Sequence, residues 1–236
     1  HLAQQLLTGS KEGIWFNTYA DGKWSQTQLT KEPVGELRAG KLPSGAMIAT
    51  VEPFHGTKSA VYTRDAGGVW QRQQILDGYK DGHAVACADF LGTGSDQVMI
   101  GWRGAKPTDR GIRLLTPLDD AGQTWRTDVV STEAISVEDF KAADLDGDGQ
   151  PEVLVGNNFD TVLSIMRVQA DGSLAITSSL LDVHGATSCD AHDFRTHTAA
   201  RYGRFYRANC AGHAHTRVPS ARRYSCVQSN SNAICN

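Results

Sequence analysis

The sequence predicts an all-β protein, and within that class a β-propeller. A hairpin of one design recurs along the chain, its spacing leaves room for four short strands per repeat, and helix-period apolar spacing is scarce.

Residues 13–29 (GIWFNTYADGKWSQTQL), 59–75 (SAVYTRDAGGVWQRQQI) and 111–130 (GIRLLTPLDDAGQTWRTDVV) share one layout. Each has an alternating strand, a turn with Asp or Gly, a Trp, and a second strand. Residues 161–180 form a fourth copy with Leu174 at the Trp position. The steps from Trp24 to Trp70, Trp125 and Leu174 are 46, 55 and 49 residues. Further hairpins lie between the copies, at 84–101 and 140–156. Four strands per repeat of this length make a propeller blade, and ~4–8 blades surround an axis. About three and a half blades are expected, so the chain reads as a fragment or an incomplete ring that further blades or a second subunit would close. A β-sandwich of short strands is the alternative, but it gives no reason for a repeating Trp hairpin. The repeated Trp residues, and Trp102, read as packing.

A charge break divides the chain. After Asp193 there is no Asp, Glu or Lys but there are seven Arg. The other 16 basic residues face all 26 acidic ones, so a body of −10 precedes a tail of +7. Four of the five Cys (Cys189, Cys210, Cys226 and Cys235) lie in or beside that tail. Blades are therefore expected over residues 1–194, and a basic, Cys-containing tail, disordered or atypical, over 195–236. A net charge of −3 argues against a general nucleic-acid binder. The apolar stretches are strand-sized, so no membrane span is expected. His1 to Thr8 lack a basic n-region and a cleavage site, so they do not form an intact signal peptide. An extracellular setting is favoured.

One loop has the chemistry of a cation site. Asp144-Leu-Asp146-Gly-Asp148-Gly-Gln150-Pro-Glu152 sets carboxylates at loop positions 1, 3, 5 and 9, and Gln150 is expected to give its backbone carbonyl. Calcium takes six to eight oxygens, and a Gly-bent acidic loop supplies them. An EF-hand is disfavoured because position 12 is Val155 and the flanks read as strands. Aligning Asp89 with Asp144 puts Leu91, Thr93 and Gln97 at the Asp146, Asp148 and Glu152 positions while Gly92 and Gly94 persist. That copy is expected to keep the turn and bind no metal. Any calcium at the acidic copy is expected to be structural.

The segment ADLDGDGQPEVLVG resembles the FG-GAP/VCBS motif of calcium-binding propellers. Residues 48–63, 81–90, 100–104 and 137–149 resemble the propeller domains of dehydratases of the aldos-2-ulose type and related bacterial VCBS-repeat proteins. That resemblance implies sugar chemistry on a propeller face, with metal-assisted elimination of water.

Blade topology tells which loops share a face. With strands A to D running outward from the axis, the acidic loop joins A to B and the Trp turn joins C to D, at one end. The B–C loops then share the other end with the D–A loops. The B–C set carries Glu52, His55 and Lys58; Arg103 and Lys106; and Asn157, Asn158 and Asp160. The D–A set carries Asp81 and His83, Glu138 and Asp139, and His184. Elimination from a keto-sugar needs a base, a cation for the enolate and an acid for the departing hydroxyl. His55 is the candidate base and His83 the metal ligand or acid. Arg103 is the enolate-stabilising cation, and Glu52 or Glu138 would orient a His. A zinc-like ion beside the two His would fit such a face. The rival reading is a non-catalytic module that binds a glycan or a protein. Arg103 has a plainer reading too, as an ion-pair partner of Glu138 or Asp139.

Overall fold

The computed structural model describes residues 4–131, 135–157, 162–169, 174–181, 186–194, 205–212, 226–229 and 232–235. Its strands form five antiparallel sheets in strict chain order. The first is β1 (Gln4–Ser10), β2 (Gly13–Ala20) and β3 (Lys23–Thr30). The second is β4 (Glu36–Leu42), β5 (Gly45–Glu52), β6 (Lys58–Arg64) and β7 (Trp70–Asp77). The third is β8 (Gly82–Ala88), β9 (Gln97–Trp102), β10 (Gly111–Pro117) and β11 (Trp125–Ser131). The fourth is β12 (Val137–Ala143), β13 (Glu152–Asn157), β14 (Val162–Val168) and β15 (Leu174–Leu181). The fifth is β16 (Ala186–Phe194), β17 (Phe205–Gly212), β18 (Cys226–Ser229) and β19 (Asn232–Cys235).

The four expected hairpins are β2–β3, β6–β7, β10–β11 and β14–β15, each the last two strands of its sheet. The acidic loop joins β12 to β13. From the charge break the repeating body is expected to end at 194 and a basic, disordered or atypical tail to follow. In the structure β17, β18 and β19 lie beyond that point and pair, through β17, with β16. The charge break therefore falls inside one sheet, because a change in surface charge does not stop strands from pairing. The stretches 195–204 and 213–225 of that tail lie outside the described residues.

Sheets stack face to face, and period-2 alternation assigns each side chain to a neighbour. In β5, Met47, Ala49 and Val51 face the third sheet, joining Val85, Val98 and Ile100 in one core. Ile48 points the other way, to Ile14 of β2. Met99 of β9 likewise faces Val137, Phe140 and Val153 of the fourth sheet. Middle sheets are thus buried on both faces, so β9 is apolar from Val98 to Trp102 and β5 from Ala46 to Val51 but for Thr50. The first strands of the four-stranded sheets also touch in series: β4 meets β8, β8 meets β12, and β12 meets β16.

The Trp residues show the limits of the packing expectation. Trp70 packs on Phe16 of the preceding sheet with ring centroids 5.9 Å apart. Trp125 is half-buried against the second sheet's core. Trp24 is 58% exposed and meets Tyr19, because no sheet lies on that side among the described residues. No helix in the described residues is long and apolar enough to cross a membrane.

Candidate functional site

The loop between β5 and β6 carries His55, and the β7–β8 loop carries Asp81. Backbone bonds pin the two: Gly56 N–H donates to Pro53 O at 2.8 Å, and Gly82 N–H donates to Gly56 O at 2.9 Å. Gly56 has no room for a side chain, since a Cβ there would sit 2.0 Å from Glu52 O. His55 and Asp81 both take positive φ, 56° and 52°. Few non-glycine residues do so, and such backbone concentrates where surrounding structure over-determines it for function. The pinned loops place His55 Nδ1 against Asp81 Oδ1 in a short contact.

Two β-bulges supply the next members. In β8, Gly82 pairs with Trp102 and Ala84 with Gly101, leaving His83 unpaired. In β12, Val137 pairs with Asn157 and Asp139 with Gly156, leaving Glu138 unpaired. A bulge re-aims the extra residue, which is why bulges gather beside functional sites. His83 and Glu138 occupy the same place in neighbouring first strands. His83 Nδ1 donates to Glu138 O at 2.7 Å, and His83 Nε2 lies 3.6 Å from Glu138 Oε1. The His55 and His83 rings meet edge to face with centroids 4.7 Å apart. Phe54, 63% exposed, packs its ring on His55 at the rim.

Arg103, from the β9–β10 loop, ties the group together. Its Nε donates to Asp81 Oδ2 at 2.9 Å, and one terminal nitrogen donates to Glu138 Oε2 at 2.9 Å and Oε1 at 3.3 Å. The other terminal nitrogen lies 2.8 Å from His55 Nδ1 and 3.4 Å from Nε2. His55 Nδ1 cannot donate to Asp81 and accept from Arg103 at once. A carboxylate can only accept, so the Asp81 contact assigns Nδ1 as the N–H of the neutral ring. Nε2 then keeps its lone pair. Burial pushes the Asp81 carboxyl up, but bonds from His55 and Arg103 outweigh it and hold the group below its ordinary value.

Four of the five residues expected to form the site therefore converge: His55, His83, Arg103 and Glu138. Glu52 does not join them. Its buried carboxylate accepts from Thr50 Oγ1 at 2.8 Å, Tyr62 Oη at 2.8 Å and Arg72 Nε at 3.0 Å. As the last residue of β5 it shares the side of Thr50, and that parity turns it into the sheet. Sequence reasoning puts Asp81 on this face without a role, and misses a charged row on the first strands. There Arg38 of β4 donates to Asp139 of β12 at 3.2 Å, and Lys141 lies 3.3 Å from Asp139. Glu36 stands beside Arg38 at 3.7 Å, its carboxyl raised by burial. Charged residues at every second position of otherwise apolar strands are the signal that marks this row. Asn158, Asp160 and His184 lie outside the described residues.

The acidic loop sits at the other end of its sheet. Among the described residues, Asp144, Asp146 and Glu152 offer ligand oxygens within 4.8 Å of one another. Asp144 also accepts from Gly147 N at 2.6 Å and Gly149 N at 3.1 Å. Arg167 of β14 reaches into this group, donating to Asp148 at 2.6 Å, to Asp146 at 2.7 Å and in a short contact to Glu152. Burial lowers the Arg167 pKa, but Asp148 and Glu152 outweigh it and raise it overall. Burial raises Glu152. The Gln150 amide donates to Phe90 O at 2.6 Å, tying the loop to the third sheet. An all-oxygen donor set of this kind could hold a hard metal ion.

The neutral copy keeps the turn, with positive φ at Gly92 and Gly94 as at Gly147 and Gly149. Gly94 N–H donates to Asp89 at 2.7 Å, matching Gly149 and Asp144. Gln97, in the Glu152 position, donates its own amide to Thr93 Oγ1 at 3.0 Å and Ser95 O at 2.7 Å.

No protein-family model matches the chain. In an alignment 131 positions long that covers 44% of the chain, it is 28% identical to aldos-2-ulose dehydratase from Phanerodontia chrysosporium. The matched stretch spans 15% of that protein. The chain is thus similar, over part of its length, to a small segment of a sugar dehydratase.

Proposed function

We propose that the sheets are blades of a β-propeller whose His-bearing end eliminates water from a 2-keto-sugar. The carrying observation is the convergence of His55, Asp81, His83, Arg103 and Glu138 from loops and bulges of three sheets. First strands that touch in series are what blades around an axis require. The partial similarity to aldos-2-ulose dehydratase supports the choice of substrate class. Further blades or a second subunit would complete the ring.

In this reading Asp81 orients His55, whose Nε2 takes the proton beside the substrate carbonyl. The electron pair of that C–H bond becomes the enolate. The remaining N–H of Arg103 beside His55 faces the developing charge. Protonated His83 gives its Nε2 proton to the departing hydroxyl, which leaves as water. His83 Nε2 is also the nitrogen that a zinc-like ion at this face would use. Asp144, Asp146, Asp148 and Glu152, with the Gln150 carbonyl, would hold a structural calcium away from the chemistry.

A second reading draws on the same geometry. Arg103 already satisfies Asp81 and Glu138, and a fully paired network can serve as a rigid platform for binding a glycan without catalysis. The test is absorbance growth from the unsaturated ketone product of an aldosulose or anhydrofructose. His55→Ala is expected to cost ~10²-fold or more in rate, and His83→Ala to slow leaving-group departure. Activity that survives both substitutions overturns the assigned roles. Sugar binding at this face without turnover favours the binding module instead.

A further inference from the structure

A cleft of about 480 Å³ lies between residues 76–80 and the segment from Trp102 to Arg113. Its floor is built. Tyr79 and Trp102 stack at 5.2 Å and are both buried. Trp102 lies flat because Gly111 is beneath it, where a Cβ would come within 2.4 Å of the ring. Arg113 covers the ring with its guanidinium 4.9 Å from the centroid.

The charge of Arg113 is unbalanced. It donates to Ile112 O at 3.1 Å and makes no ion pair with a carboxylate among the described residues. Partial burial holds its pKa below the ordinary arginine value, the effect of desolvation without an anionic partner. Lys80 lines the same cleft, exposed and likewise without an ion pair among the described residues. A cation held by an aromatic face instead of a carboxylate keeps its charge for a ligand. Arg110 is a third cation of the lining, and the cleft also presents acceptors: the Asp77 and Asp109 carboxylates and the Thr108 hydroxyl. These suit donors on the same ligand.

From this pairing of unneutralised cations with hydroxyl-accepting groups, we infer that the cleft binds a sugar acid. The carboxylate would lie between Lys80 and Arg113, and the hydroxyls against Asp109 and Thr108. Carboxylate and hydroxyl groups on one small ring match the two kinds of wall, and the volume suits a ligand of that size. The site is separate from the proposed elimination and stands or falls apart from it.

The test is titration of the full chain with D-glucuronate, D-glucose and inorganic phosphate, followed by backbone amide NMR. Glucuronate is expected to shift the amides of Gly78, Lys80 and residues 108–113, and glucose to leave them in place. Lys80→Gln and Arg113→Gln should each weaken glucuronate binding about tenfold, the size of one charge-assisted hydrogen bond. His55→Ala should leave that binding unchanged. Lys80 is exposed, so Lys80→Gln decides the matter even where Arg113→Gln lowers stability. Absence of glucuronate shifts at these amides overturns the inference, as does equal binding by Lys80→Gln. Phosphate binding without glucuronate binding overturns the sugar-acid class.

Discussion

At the scale of single residues, Asp81 holds the candidate site in place. It accepts from His55 and Arg103, and its own backbone sits in the left-handed region. Its carboxyl is held below the ordinary value, so the folded protein binds the proton less readily than the unfolded chain. The resulting stabilisation is fully present above the unfolded value of about 3.9 and is lost as pH falls through the lower folded value. Asp81→Asn should therefore lower the urea midpoint at pH 7. The gap to wild type should close on acidification below about 4. Urea titrations of both proteins at several pH values check this, and a gap that persists undiminished at pH 2.5 contradicts it. The meeting of His55, His83 and Arg103 is legible because loop order alone puts them at one end. Glu52 is not, because its direction depends on strand parity at a boundary that residue types do not mark. The bulges that aim His83 and Glu138 are invisible for a related reason: register is a property of the paired strands, not of either one.

At the scale of the element, the two copies of the β-turn loop show how one backbone accepts different charge solutions. In the copy at Asp89 the residue facing the turn is Gln97, which brings its own donors to Thr93 and Ser95. In the acidic copy Glu152 brings only acceptors, and Arg167 supplies the positive charge. The acidic spacing is legible in the sequence at once. The guanidinium is not, because Arg167 comes from β14, and only the β13–β14 register brings it alongside. A divalent cation entering this loop must displace that guanidinium. Arg167→Gln should therefore melt lower than wild type in EDTA and gain more from calcium. The extra gain should be about 3 °C or more, as expected for about 1 kcal/mol in a protein of this size. Melting curves of both proteins with EDTA and with millimolar calcium decide it. Equal calcium shifts would mean that Arg167 does not compete for the ligands. Asp146→Ala with Asp148→Ala should remove the calcium response from either background.

At the scale of the whole molecule, stability passes from sheet to sheet through apolar interfaces. One core joins the first sheet to the second, another the second to the third, and a third the third to the fourth. The Trp hairpins make this repetition legible, since each occupies the same place in its sheet. The fifth sheet is not legible, because its strands carry neither the Trp hairpin nor an Asp-Gly turn. When each unit buries its faces only against its neighbours, stability is a sum of unit and interface terms. Phe140 tests how strongly those terms couple. It is fully buried on β12 and packs against Gly101 of β9, where a Cβ would come within 2.7 Å of its ring. Phe140→Ala opens a cavity in the third interface and should cost about 3–5 kcal/mol. All five Trp residues lie at or before residue 125, in the first three sheets, so their fluorescence does not report on the fourth sheet directly. If the interfaces couple, Trp fluorescence and far-UV circular dichroism will shift together to lower urea in the variant, as one transition. If fluorescence keeps its wild-type midpoint while part of the β signal is lost early, the fourth sheet unfolds on its own and the coupling is refuted.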